Sequence, residues 1–139
     1  MYIDKELVLE MGMACETTAG TDYASGCIDL GASDRDVGAG RPMYCVINVT
    51  TDFASTDSAT IQFQLLEDAG TGIDGNSIIL STTELFAYAT MTAGRELIVI
   101  PVPPGVALRY LGLGVVTGSY TTTTGTIDAF LTTEVQTNV

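Results

Sequence analysis

Residues 60–65 read Thr60-Ile61-Gln62-Phe63-Gln64-Leu65. Large apolar side chains alternate with polar ones at every step. A period of two belongs to a β-strand with one face on a core and the other toward water or a partner. It places Ile61, Phe63 and Leu65 inside and Thr60, Gln62 and Gln64 outside. The stretch from Thr126 to Gln136 repeats the pattern. Ile127, Ala129, Leu131, Thr133 and Val135 form one face, and Thr126, Asp128, Phe130, Thr132 and Glu134 form the other.

The rest of the chain extends this reading. Met43-Tyr44-Cys45-Val46-Ile47-Asn48-Val49 is nearly continuous in apolar residues, as a strand buried on both faces would be. Cys27–Leu30, Ile78–Leu80, Leu85–Tyr88, Glu96–Ile100 and Leu108–Thr117 are further strand candidates. Turn residues separate them. These are Gly31–Asp34, Gly38–Pro42, a long flexible connection over Asp68–Gly72 and Asp74–Asn76, and the tight turn Pro103-Pro104-Gly105. The only helical windows are Asp4–Met13 and one turn near Thr82–Phe86, and neither has an apolar stripe of period 3.6. The first window also reads as a strand, with Leu7, Leu9 and Met11 on one face and Glu6, Val8 and Glu10 on the other. Short strands at spacings of about 8–15 residues with no crossover helices predict an antiparallel sandwich or barrel. The expectation is an all-β, jelly-roll-like sandwich of about eight strands. It forms a single domain over residues 1–139, with 1–9 a candidate N-terminal arm.

Composition agrees. Charged residues are only 16% of the 139, and Thr, Ser, Gly and Asn cover the surface instead. Five Lys and Arg face 17 Asp and Glu, for a net charge of −12. Nucleic-acid binding depends on neutralising phosphates with cations, so DNA and RNA are excluded as direct partners. The same charge opposes anionic lipid surfaces. No apolar run approaches the ~18 residues of a membrane span. With Asp4, Lys5 and Glu6 opening the chain, no signal peptide is expected. Cys15, Cys27 and Cys45 have no metal-type spacing and read as reduced thiols, with a Cys15–Cys27 bridge the disfavoured alternative.

Candidate chemistry is sparse. The chain has no His, which removes the usual triads and His-ligated zinc. Asp34 and Asp36 near Gly38, and Asp74 and Asn76 around Gly75, resemble loose oxygen-ligand loops but lack the ligand count of a calcium site; turn chemistry explains them better. Seventeen acids guarantee some carboxylate pair by chance, and nothing singles one out for glycoside hydrolysis. Gly38-Ala39-Gly40 lacks the Lys and helix of a phosphate loop. No catalytic, cofactor or metal residue is therefore assigned, and no small-molecule substrate. Among the arginines, Arg109 shares strand parity with Leu111, Leu113 and Val115, so it pairs with a carboxylate at the end of a core face or lies at a subunit contact. Val46–Ile47, Ile78–Leu80, Leu97–Val102 and Leu113–Val116 leave little polar face, which suggests cover from another chain.

Three stretches together resemble a known family. They are Met1-Tyr2-Ile3-Asp4-Lys5-Glu6-Leu7, Ile28-Asp29-Leu30-Gly31, and Arg35-Asp36-Val37-Gly38-Ala39-Gly40-Arg41-Pro42-Met43-Tyr44. With Pro103-Pro104-Gly105 and Leu108-Arg109-Tyr110-Leu111, they look like the jelly-roll capsid cement (decoration) proteins of tailed bacteriophages. The resemblance implies a non-enzymatic homotrimer, made in the bacterial host cytoplasm. It would sit on the outer surface of an HK97-type head, against the major capsid protein at three-fold and quasi-three-fold positions. It needs no cofactor. The candidate partner-binding residues are Met1, Tyr2, Ile3, Arg41 and Arg109, the first three because an apolar chain end has no local core to join. The rival reading is a carbohydrate- or receptor-binding sandwich on a virion. That reading requires exposed aromatics, for which Tyr23, Tyr88 and Tyr120 are the candidates.

Overall fold

The computed structural model describes residues 5–15, 18–32 and 40–135. The described residues form ten strands. They are β1 (Val8–Ala14), β2 (Gly20–Tyr23), β3 (Ile28–Asp29), β4 (Tyr44–Ser55), β5 (Thr60–Asp68), β6 (Ile78–Thr82), β7 (Phe86–Ala87), β8 (Ile98–Pro101), β9 (Tyr110–Gly118) and β10 (Thr122–Thr132). Two 3-10 turns, Lys5–Leu7 and Tyr88–Thr90, are the only helical pieces among the described residues.

One sheet has the order β1-β10-β4-β8 and the other β2-β9-β5-β6, with β3 added on β9 and β7 on β5. Setting aside the two-residue β3 and β7, the eight principal strands change sheet at every step except β5 to β6, which form a hairpin, and so make two interlocked Greek keys. That is the wiring of a jelly roll. All pairings are antiparallel.

The core lies between the sheets. Ile61, Phe63 and Leu65 of β5, Leu111, Leu113 and Val115 of β9, Cys45, Ile47 and Val49 of β4, and Ile127, Ala129 and Leu131 of β10 all belong to one buried cluster. The alternation read from β5 and β10 therefore places the inner face correctly, although β10 ends at Thr132.

Three local readings change. Met11 does not share the buried face of Leu9, because β1 carries register shifts between Val8 and Glu10 and between Glu10 and Met13. Each shift inserts an extra residue, and Met11 is left exposed while Met13 returns to the core. The segment 1–9 is no free arm over its described part, since Leu7 packs against the core and Leu9 is buried in it. The connection 69–77 is ordered by its own turn chemistry. Asp68 accepts hydrogen bonds from Gly70 N (2.8 Å) and Ser77 Oγ (2.7 Å), and Asp74 accepts one from Asn76 N (2.7 Å). The loop tucks Ile73 against Gly112, where an added Cβ would lie 2.4 Å from Ile73 Cγ1.

The second face of β4 also has an explanation. Val46 pairs with Phe130 on one side and Val99 on the other, and Phe130 pairs with Val8. Directly opposed residues point to the same side. Val8, Phe130, Val46 and Val99 thus form an apolar row across the outer face of the four-stranded sheet. At the lower end of β5 the inward-facing Glu67 is buried, and its Oε2 accepts hydrogen bonds from Ala107 N (2.9 Å) and Leu108 N (3.0 Å). A carboxylate thus satisfies the amides of the turn entering β9.

Candidate interaction surface

β6 and β8 are the end strands of the two sheets and touch along one flank of the sandwich. Among the described residues each has a backbone edge with no strand beside it. Between them runs an open groove of about 390 Å³ lined by residues 81–84, 86 and 95–101. Phe86 sits against the buried Phe63, ring centroids 6.3 Å apart. Arg95 lies over the other side of this aromatic pair, its guanidinium carbon 5.0 Å from the Phe86 centroid. Its Nη1 donates to Thr90 O at 3.0 Å, while its buried Nε has no hydrogen-bond partner. Thr83 fixes the bend before β7: its Oγ1 accepts from Phe63 N at 3.0 Å, and its carbonyl accepts from Gln62 Nε2 at 2.8 Å.

This flank carries four of the exposed large hydrophobics: Ile78 (53% exposed), Ile79 (51%), Leu85 (63%) and Val99 (36%). Soluble proteins ordinarily protect sheet edges with Lys, Pro or inward charges. Ile78-Ile79-Leu80-Ser81-Thr82 has none of these, and β8 has only Pro101 at its end.

The opposite flank is closed by polar contacts. Glu10 Oε2 on β1 accepts from Ser25 N (2.6 Å), Ser25 Oγ (2.7 Å) and Gly26 N (3.2 Å), which clasps the chain after β2 to β1. A second groove of about 460 Å³ there includes the carboxylates Glu10 and Asp22. Both grooves hold two carboxylates, Glu84 and Glu96 on the β6–β8 flank and Glu10 and Asp22 on the other; the β6–β8 flank adds the stacked Arg95 and the exposed apolar side chains.

The residues singled out from the sequence fall in different places. Met1, Tyr2 and Ile3 lie outside the described residues, as do Asp34, Arg35 and Asp36. Arg41 is exposed on the approach to β4. Arg109 is engaged within its own chain: Nε and Nη2 grip Asp29 Oδ1 and Oδ2 at 2.7 and 2.8 Å. The guanidinium also lies 5.2 Å from the Tyr110 centroid. No hydrogen bond or ring contact joins Arg41 to Arg109. The Arg109 pair and the Gly31 amide hold the Asp29 carboxyl at about 2, below its ordinary 3.8. The contribution of such a pair is complete above the ordinary value and is lost as pH falls toward the depressed one. The stability difference between the native chain and Asp29→Asn is therefore expected to be constant above about pH 4 and to shrink between pH 4 and 2. Urea midpoints measured across that range check this; a difference unchanged down to pH 2 would contradict it.

All three cysteines are unbridged, and burial pushes the Cys15 and Cys45 thiols up to about 12. Among the described residues no three carboxylates or thiols converge as metal ligands. No helix there is long and apolar enough to cross a membrane. The tyrosines do not make a platform. Tyr88 packs against the core, the Tyr23 ring lies over Gly114, where an added Cβ would stand 3.5 Å from it, and Tyr120 is exposed on the link between sheets.

Reading from the sequence alone did not single out Phe86 or Arg95. Only the lone arginine after Gly94, nine residues past Phe86, hints at a stacked pair. Their pairing depends on β7 and the turn before β8 meeting in space.

The strand order and the two unlike flanks define a jelly-roll protein whose distinctive features are open sheet edges. The chain belongs to the Bbp16 family, whose model matches residues 12–131. No curated protein matches it.

Proposed function

We propose that this chain is a structural capsid cement protein of a tailed bacteriophage. It binds the outer surface of the head, on the major capsid protein lattice, as a homotrimer at three-fold and quasi-three-fold positions, and stabilises the shell. The observation that carries this reading is the flank of β6 and β8, with Ile78, Ile79, Leu85 and Val99 exposed on a sandwich whose core is otherwise complete. Such a surface fits a protein that works by contact with other chains. The resemblance of the N-terminal and Arg35–Tyr44 stretches to phage decoration proteins supports the particular role.

The physics of decoration suits the composition. A protein that binds only the assembled lattice stabilises it by mass action. Three linked copies combine weak contacts through avidity. Three copies carry three times −12, which keeps free trimers soluble and apart.

The test is to prepare heads lacking this protein, add the purified chain back, and image them. Density at three-fold and quasi-three-fold positions, with greater resistance of the heads to heat, is the expected result. Heads that stay bare at saturating protein would refute the proposal. Sedimentation giving a 14.6 kDa species at micromolar concentration would contradict the trimer.

A further inference from the structure

We propose that the groove between β6 and β8 docks a segment of the major capsid protein that carries lysine or arginine among aliphatic residues, its cations set against Glu84 and Glu96. The inference names the partner's side of the contact proposed above and rests on that reading.

The lining of the groove includes Glu84 and Glu96, both exposed. Among the described residues neither carboxylate takes part in an ion pair or accepts a hydrogen bond. The one cation of the lining, Arg95, is turned to its own chain. It lies over Phe86, and its Nη1 donates to Thr90 O. Apolar surface lies alongside these acids. Val99 lines the groove, Leu85 follows Glu84 in the chain, and Ile78 and Ile79 continue β6 beyond Ser81; all four are exposed.

Open carboxylates beside exposed aliphatic side chains fit a partner that brings both kinds of group. Lysine and arginine suit such a surface, because the apolar stem covers aliphatic groups while the charged head meets a carboxylate. The second groove lacks this combination, since Glu10 there already accepts from Ser25 and Gly26.

Charge selects the occupant. Two copies meeting through this flank would bring Glu84 and Glu96 of one against those of the other, and like charges across an interface oppose it. No other segment of the chain brings two cations to the groove. Arg95 belongs to the groove itself, and Arg109 is bound to Asp29. Lys5 stands between Asp4 and Glu6, and Arg35 between Asp34 and Asp36. Arg41 remains, a single cation on a chain of net charge −12. The flank therefore complements a chain of different and cationic surface.

The experiment titrates heads lacking this protein with the native chain and with Glu84→Gln/Glu96→Gln at low and moderate salt, and counts bound protein after sedimentation. The expected result is an affinity lower by about tenfold, from the loss of two exposed ion pairs, and a weaker salt dependence. Glu84→Lys/Glu96→Lys is expected to cost about a hundredfold, because like charges then face each other. Asp57→Asn/Glu134→Gln changes the net charge as much at exposed positions outside the groove and is expected to bind as the native chain does. All variants should keep the native circular dichroism spectrum and melting temperature. Unchanged affinity of Glu84→Gln/Glu96→Gln, or an equal loss in the Asp57 and Glu134 variant, overturns the inference and leaves the cement reading standing. A Glu84 and Glu96 variant that loses its self-association would place a second copy in the groove and overturns it too. A second arm does not depend on heads. The native chain is titrated with two amidated pentapeptides, Ile-Lys-Val-Lys-Ile and Ile-Glu-Val-Glu-Ile, and its amide resonances are followed. Shifts at residues 81–86 and 95–101 from the lysine peptide alone are expected. Equal shifts from both peptides, or none at millimolar concentration, overturn the inference. Heads left bare by the native chain would sink the cement reading, while the peptides still decide the chemistry of the groove.

Discussion

Phe63→Ala is expected to lower stability by about 4 kcal/mol, the upper part of the range for a large buried aromatic truncated to a methyl group. Phe63 is fully buried at the middle of β5, and its neighbours in the sheet register, Val115 and the β6–β7 bend, are themselves fixed by backbone pairing. They cannot collapse into the space, so the cavity persists and its cost adds to the lost transfer energy. The ring also supports Phe86, and through Phe86 the stacked Arg95. The variant should therefore lose the shape of the groove before it loses the fold. In a chain of this size, roughly 3–4 °C of melting temperature is lost per kcal/mol, so a fall of about 12–16 °C is expected. Phe63→Leu keeps most of the volume and should cost about 1.5 kcal/mol or less. Equal melting temperatures for Phe63→Ala and the native chain would show that the ring is not a core anchor.

Gly26→Ala is expected to be nearly as damaging, on the order of 3 kcal/mol, by overpacking rather than by loss of contact. A Cβ at Gly26 would stand 2.2 Å from the carbonyl oxygen of Leu9 and 3.3 Å from its carbonyl carbon. The obstacle is backbone, so no rotamer change relieves it. Leu9 is buried in the core, and Glu10 next to it holds the amides of Ser25 and Gly26. Moving either chain breaks that clasp and leaves amides without their carboxylate. Ser25→Ala, which removes only the hydroxyl bond to Glu10, supplies the comparison and should cost about 1 kcal/mol. Denaturant midpoints for the two variants check the order; Gly26→Ala as stable as Ser25→Ala would show that the two chains yield without cost.

A resemblance to cement proteins and an open apolar flank bear on function from different directions. The first rests on the order of short stretches along the chain, the second on which strands end each sheet. Arg109 shows how the two interact. Its strand parity gave a choice between an internal carboxylate partner and a subunit contact, and the structure supplies the carboxylate, Asp29, 80 residues away. The uncharged edge of β6 carries the functional argument instead.

The periodicity of Thr60–Leu65 and Ile127–Leu131 determined by itself that these segments are strands and which of their side chains face the core, because a period of two is a local property of extended backbone; that the strands close as two packed sheets came with the tertiary structure. Composition by itself determined the acidic surface and the lack of imidazole chemistry. Other features came only with tertiary structure. Periodicity assigns a face but does not say which strand lies at an edge, and Ile78 and Ile79 are exposed because β6 ends its sheet. Met11 left the core through a register shift against β10, more than a hundred residues away. Glu67 reads as one more acid until Ala107 and Leu108 bring their amides to it. The groove with Phe86 and Arg95 exists because β6 and β8, paired to different strands in different sheets, end on the same flank. Each of these depends on contacts between distant segments, and strand pairing across a jelly roll is almost entirely of that kind.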